Sequence, residues 1–150
     1  MDGVELFLLG RTLMKIGEEA LPVDGIGQHT TSVRTVLIVA SDVRVHPGSA
    51  VGEIATRTGL PQSAVSAAVA RLREAGAIVA EVDPRDRRRS LVSPAPEVSA
   101  RVAEVRAASV DAALAVALGT DDPAQVGEVV GLLEELARRL TPESLARLRG

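Results

Sequence analysis

A chain of 150 residues with 46% apolar side chains is long enough for one domain with a buried core, yet it holds one Phe and no Tyr or Trp. Its formal net charge is −3 and it has no cysteine, which excludes disulfides, thiol redox sensing and Cys-based metal sites. No apolar run approaches the ~20 residues of a membrane span, and no basic segment followed by an apolar one opens the chain, so a cytoplasmic protein is expected.

Residues 2–20 set Val4, Leu6, Phe7, Leu9, Leu13, Met14 and Ile16 on a broad apolar face, which predicts a first helix. Thr30 to Arg44 predict a second, central helix with Val33, Val36, Leu37, Val39 and Ala40 inward. His29 and His46 fall in the connections around it. A zinc site needs three or more ligands, and Asp24 or Glu19 would have to join His29, so surface histidines without metal are expected.

From residue 49 the order is helix, turn, helix, hairpin. Ala55 is small where a crossing helix approaches closely, and Gly59 stands where the first of these helices must end and the chain turn. Ile54, Leu60, Val65, Val69 and Leu72 are spaced to close one apolar seam, leaving Gln62, Ser63, Ser66, Ala67 and Ala70 on the opposite face. That face is short-chained and polar, which suits a helix lying in a major groove. For Ser66 a bond back to the carbonyl one turn earlier is the other reading. Arg71 and Arg73, at the helix end, fit either a phosphate contact or complementation of the helix dipole.

Ile78 to Val82 and Ser90 to Ser93 predict the two strands of a hairpin whose tip, Asp83 to Arg89, carries Arg85, Arg87, Arg88 and Arg89. Such crowding makes sense where phosphates or a narrow, electronegative minor groove neutralise it, although a charge run can also be a solvated turn. Asp86 is placed to hold a nearby guanidinium by a charge-assisted hydrogen bond. Charge is segregated accordingly: residues 49–93 hold seven arginines against five acids, net +2, leaving ten basic and fifteen acidic residues elsewhere, net −5.

Beyond the hairpin, residues 97–118 predict one long helix with Val98, Val102, Val105, Ala108, Ala112, Leu114, Ala115 and Leu118 inward, ending at Gly119. Asp121-Asp122 reads as an N-cap before Pro123, which opens a helix with an apolar stripe from Val126 through Val129, Val130, Leu132, Leu133 and Leu136 to Leu140. Thr141-Pro142-Glu143 then starts a last helical turn. The terminal helices are too apolar for a monomer this small.

The motifs resemble those of the multiple antibiotic resistance regulator (MarR) family of bacterial transcription factors, over most of the chain. The family pattern of Leu-Ala, Gly, Val-Ser, Leu-x-x-x-Gly and Asp-Pro-x-Asp-x-Arg is met by Ile54-Ala55, Gly59, Val65-Ser66, Leu72 to Gly76, and Asp83-Pro84-Arg85-Asp86-Arg87-Arg88. The resemblance implies a single, mainly α domain over residues 1–150, a winged helix-turn-helix with a small β-hairpin wing. Residues 30–94 would form the DNA-binding lobe, and 1–29 and 95–150 the interlocking dimerisation helices. It implies a homodimeric regulator, expected to be a repressor, on a pseudo-palindrome of double-stranded DNA. Asp86 would order the wing, Arg88 enter the minor groove, and Arg85, Arg87 and Arg89 meet phosphates.

Two departures stand out. Ala67 follows Val-Ser where the family often has an arginine, so base readout falls to Gln62, Ser63 and the wing. Pro94-Ala95-Pro96-Glu97-Val98 replaces the usual Leu-Thr-x-x-Gly after the wing, which leaves the start of the next helix open. The family also implies a small, commonly anionic aromatic effector, for which Arg11, Lys15, Arg34 and Arg44 are the cationic candidates; a regulator that senses nothing is the other outcome. No cofactor is implied.

An enzyme finds little support, since there is no nucleophile elbow, Gly-rich phosphate loop or His-x-x-x-His spacing. The alternative function is a winged-helix module that docks a protein partner without DNA, which Ala67 and the acidic total keep open. The wing discriminates, because a protein partner does not need four arginines there and phosphates do.

Overall fold

Several helices begin where the sequence supplies a capping side chain. The structure, a computed structural model, describes residues 1–22 and 31–149. In chain order the elements are α1 (Gly3–Ala20), α2 (Val33–Val45), β1 (Ser49–Ala50), α3 (Val51–Thr58), α4 (Gln62–Glu74), β2 (Ile78–Val82), β3 (Ser90–Pro94), α5 (Ala100–Ala107), α6 (Asp111–Leu118), α7 (Pro123–Arg139) and α8 (Pro142–Arg149). Asp2 starts α1 with a reciprocal box, its carboxylate accepting from the Glu5 N–H and the Glu5 carboxylate from the Asp2 N–H. Ser32 accepts from the Thr35 N–H, so the central helix starts at Val33 rather than at Thr30, which lies outside the described residues.

The predicted helix over 97–118 is two helices. Ser99 Oγ accepts from the Val102 N–H and donates to the Ala75 carbonyl, so α5 starts one residue beyond a capping serine. Ser109 Oγ accepts from the Asp111 N–H, giving the backbone a local partner that competes with the helical ladder and starts α6 afresh. The remaining starts fall as expected. Asp122 accepts from the Ala124 N–H ahead of Pro123, and α8 begins at Pro142.

The chain divides into two units, one of residues 1–22 with 107–150 and one of residues 23–106. In the first, α6 packs against α1 and α7, but among its described residues only Leu114 and Val126 are buried. Its apolar stripes face outward: Phe7 is 74% exposed and Leu148 84%, with Val4, Leu8, Met14, Val116, Leu132 and Leu140 also exposed. No helix among the described residues is long and apolar enough to cross a membrane.

The second unit has the dense core. Val39 and Val43 of α2, Ile54 of α3, Val65, Ala68, Val69 and Leu72 of α4, and Ala77, Ile78 and Val92 form one buried cluster, with Leu60 and Val102 packed against it. The seam read from the sequence is therefore present, and Ala68 and Val43 add to it. Leu37, expected inward, is 40% exposed, because the buried line of α2 runs through Val39 and Val43 instead.

β1 was not legible as a strand. It pairs antiparallel with β3 (Ser49↔Val92, Ala50↔Leu91), and β3 pairs antiparallel with β2 (Ile78↔Pro94 to Val82↔Ser90), giving the order β1-β3-β2. Pro94 can end the central strand because β1 reaches only as far as Val92, leaving no ladder on that side for a proline to break.

Candidate nucleic-acid interface

The corner between α3 and α4 is built by Gly59, whose φ of 71° is left-handed and whose N–H closes on the Ala55 carbonyl. At its far end, α4 closes through Gly76: φ is 76°, the Gly76 N–H donates to the Arg73 carbonyl and the Ala77 N–H to that of Leu72. That closure feeds the chain directly into β2.

Between these ends α4 buries Val65, Ala68, Val69 and Leu72 and exposes Gln62, Ser63, Ser66, Ala70 and Arg73, with Ala67 half-buried. Arg71 departs from this face. It is half-buried and donates from Nη1 to the Thr31 carbonyl at 2.6 Å, so part of its donor fork is engaged within the protein. Gln62 Nε2 lies against Gly52, where an added Cβ would meet it at 3.1 Å.

The wing tip is held by backbone bonds to carboxylates. Asp83, 8% exposed, accepts the Arg85 N–H at 2.9 Å, and its own N–H donates to the Arg89 carbonyl at 2.9 Å. Asp86 accepts the Arg88 N–H at 3.0 Å, and its carbonyl takes the Arg89 N–H. Asp86 thus orders the tip through main chain, not by gripping a guanidinium. Arg85, Arg87 and Arg88 are exposed and have no acidic partner among the described residues. Arg89 differs: its Nη2 lies 2.6 Å from Glu53 Oε1.

Sequence reasoning missed a network behind the interface. Arg57 donates in a fork to Asp42, Nε to Oδ1 at 3.0 Å and Nη2 to Oδ2 at 2.7 Å, and Nη2 also donates to Ser49 Oγ at 2.6 Å. Ser49 Oγ in turn donates to the His46 carbonyl. The hydrogen bond to Asp42 keeps the Arg57 guanidinium more basic than usual, against a partial loss of solvation. The only sequence signal was an arginine in the last turn of α3, which ordinary dipole complementation also explains.

The expected effector cations sit on two elements in different units, Arg11 and Lys15 on α1 and Arg34 and Arg44 on α2. Lys15 is paired with Glu19 at 2.7 Å, a bond that raises the lysine pKa and lowers that of the glutamate. A cavity of about 410 Å³ between α6 and α7 is lined by Ala112, Ala115, Val126 and Val130 with Asp111 and Asp121, a lining with no cation for an anionic ligand. No group of three or more potential metal ligands occurs among the described residues, and His29 and Asp24 lie outside them.

Residues 43–89, which hold the helix-turn-helix and the wing tip, match the model of the MarR family. No curated protein matches the sequence. Solved structures share the fold. YusO from Bacillus subtilis is 23% identical, with a TM-score of 0.54 over 93% of this chain and 100% of that one. A MarR-family transcriptional regulator from Rhodococcus sp. RHA1 is 22% identical, with a TM-score of 0.53 over 92% and 93%. Bordetella bronchiseptica BpsR, whose DNA binding is regulated by 6-hydroxynicotinic acid, is 20% identical, with a TM-score of 0.53 over 91% and 93%. The mainly helical chain with its three-stranded sheet therefore has the winged-helix fold of MarR regulators, and its winged segment, residues 43–89, is what matches that family's model.

Proposed function

We propose that this protein is a sequence-specific DNA-binding transcription regulator, a repressor that acts as a homodimer on a pseudo-palindromic operator. One observation carries the reading. A helix whose exposed face is short and polar, Gln62, Ser63 and Ser66 with the half-buried Ala67 beside them, leads through β2 to a tip whose Arg85, Arg87 and Arg88 have no acidic partner among the described residues. Uncompensated arginines on an ordered tip are what phosphates and a narrow minor groove neutralise.

In this reading α4 enters the major groove, Gln62 and Ser63 read base edges, and Ser66 and Ala67 pack against the groove floor. Arg73 and the exposed part of Arg71 reach phosphates beside it. Arg88 enters the minor groove, Arg85 and Arg87 flank it on phosphates, and Asp86 keeps the tip in shape. Arg89 serves the backbone only where it leaves Glu53. The exposed apolar faces of α1, α7 and α8 join two copies, which puts half-site centres about 10 base pairs apart. By analogy with BpsR, a small effector would act on DNA affinity.

The test is a titration of the protein into labelled duplex from its own upstream region, with random duplex as control, at two salt concentrations. Preferential, salt-sensitive binding supports the reading. A folded protein that shows no preference at low salt overturns it and moves the wing to the role of a protein-docking surface.

A further inference from the structure

Helix α3 carries its charged side chains four residues apart, at Glu53 and Arg57. Glu53 Oε1 takes Arg89 Nη2 at 2.6 Å and is also within 3.4 Å of the Ala50 N–H. Arg57 takes Asp42 of α2 in a fork and Ser49 of β1 by Nη2. Ser49 and Ala50 pair with Val92 and Leu91 of β3, and Arg89 immediately precedes β3. The two ends of one helix therefore hold the same small sheet, one through β1 and the other through the lead-in to β3.

The charges alternate along this path: Arg89, Glu53, Arg57, Asp42. Glu53 adds to the field that keeps Arg57 protonated. At the inner end the groups are partly withdrawn from water, with side-chain exposures of 29% for Arg57 and 11% for Asp42, and Ser49 is buried. A forked, partly desolvated arginine pair is directional in a way that a lysine pair is not. The sheet needs such a constraint. Within the hairpin, Ile78 of β2 and Val92 of β3 are the buried strand residues, and beyond Ala80 strand β2 is exposed, with Val82 at 61%.

We infer that Glu53 and Arg57 are positioning residues which lock the wing to the helix-turn-helix and so fix where Arg88 falls when α4 is seated in its groove. The inference rests on the DNA-binding reading and goes beyond it, because that reading gives neither residue a DNA contact. Their effect passes through Arg88, and that dependence separates a lock from a general contribution to folding.

The experiment is a double-mutant cycle on DNA affinity, with Arg57→Lys and Arg88→Ala alone and together, each first checked for an unchanged circular-dichroism spectrum at the assay temperature. Arg57→Lys keeps the charge and loses the fork, and should weaken binding to the specific duplex ~tenfold while adding less than ~threefold in the Arg88→Ala background. In the Gln62→Ala background it should keep its full effect, since Gln62 sits on α4. Ser49→Ala, which removes only the hydroxyl joining Arg57 to β1, runs the same cycle if Arg57→Lys is not folded. Multiplicative losses with Arg88→Ala, or wild-type affinity in folded Arg57→Lys and Ser49→Ala, would overturn the lock alone. A wild-type protein that binds no duplex overturns the regulator reading and the lock with it.

Discussion

The Asp83 carboxylate accepts the Arg85 N–H at 2.9 Å while the Asp83 N–H donates to the Arg89 carbonyl, so one nearly buried residue pins both sides of the wing tip. Asp83→Ala leaves the Arg85 N–H without its protein partner and should cost about 1–2 kcal/mol of stability. Asp83→Asn retains an acceptor oxygen and should cost less than half as much. Thermal unfolding of the two variants checks the order, and DNA affinity should fall in the same order. Equal losses would show that the charge, rather than the bond, orders the tip.

The extent to which this could be read in advance followed the range of the interactions. Ile54, Leu60, Val65, Val69 and Leu72 declare their seam by spacing, and Gly59 declares its corner, because both depend on neighbours within a turn or two. β1 has only two residues and exists because β3, some 40 residues later, offers it a ladder. The Arg57 network was hidden for the same reason, since its partners come from α2 and β1. The break at Ser109 was readable in principle, but the continuous apolar spacing from Val98 to Leu118 masked a local hydrogen bond of only modest strength. The diversion of Arg89 to Glu53 could not be told from a run of equivalent arginines.

Among those arginines, Arg88→Ala should weaken DNA binding and flatten the dependence of log affinity on log salt by about one unit. Arg89→Ala should flatten it by less, because Arg89 is already neutralised by Glu53. Anisotropy titrations over a range of salt concentrations measure both slopes. Identical slopes for wild type and Arg88→Ala would mean that this arginine never meets DNA.

Gln62→Ala should relax sequence preference by about 1–3 kcal/mol at one base pair, leaving affinity for random duplex almost unchanged. Gly52→Ala provides an independent route to the same position. Its new methyl would meet Gln62 Nε2 at 3.1 Å, the far end of a flexible side chain, so the amide should move and the fold should not suffer. Replacing a helical glycine should add up to about 1 kcal/mol of stability. Gly52→Ala is thus expected to melt higher while reading the operator less well. A variant that is more stable and fully specific would remove Gln62 from base readout.

Glu135 accepts from Arg138 and Arg139 in the last turn of α7, and these bonds lower its pKa below the ordinary 4.5. A carboxylate with a lowered folded-state pKa contributes stability above its unfolded value and loses that contribution as pH falls through the folded one. Glu135→Gln should therefore melt below wild type at neutral pH and match it once both are acidified from about pH 7 to about pH 3. The carboxylate is half-exposed and its arginine partners lie in water, so the difference should be small and should shrink with added salt. A gap that persists at the acid end would mean that the glutamine disturbs α7 for another reason.

Phe7 is the chain's one aromatic residue, and α1 leaves it 74% exposed beside Val4 and Leu8. Burying such a side chain contributes about 1.5–3 kcal/mol, and replacing it by a carboxylate adds a desolvation cost at any interface that covers it. Phe7→Glu should therefore raise the dimer dissociation constant at least ~30-fold. Alone in a monomer, the same change sits in water and should leave the melting of the winged unit unaltered. Light scattering on wild type at micromolar concentration should give twice the 15.6 kDa chain mass, and on Phe7→Glu a mass close to one chain. A wild-type monomer would remove the two-copy geometry from the operator model, because a single α4 cannot read both halves of a pseudo-palindrome.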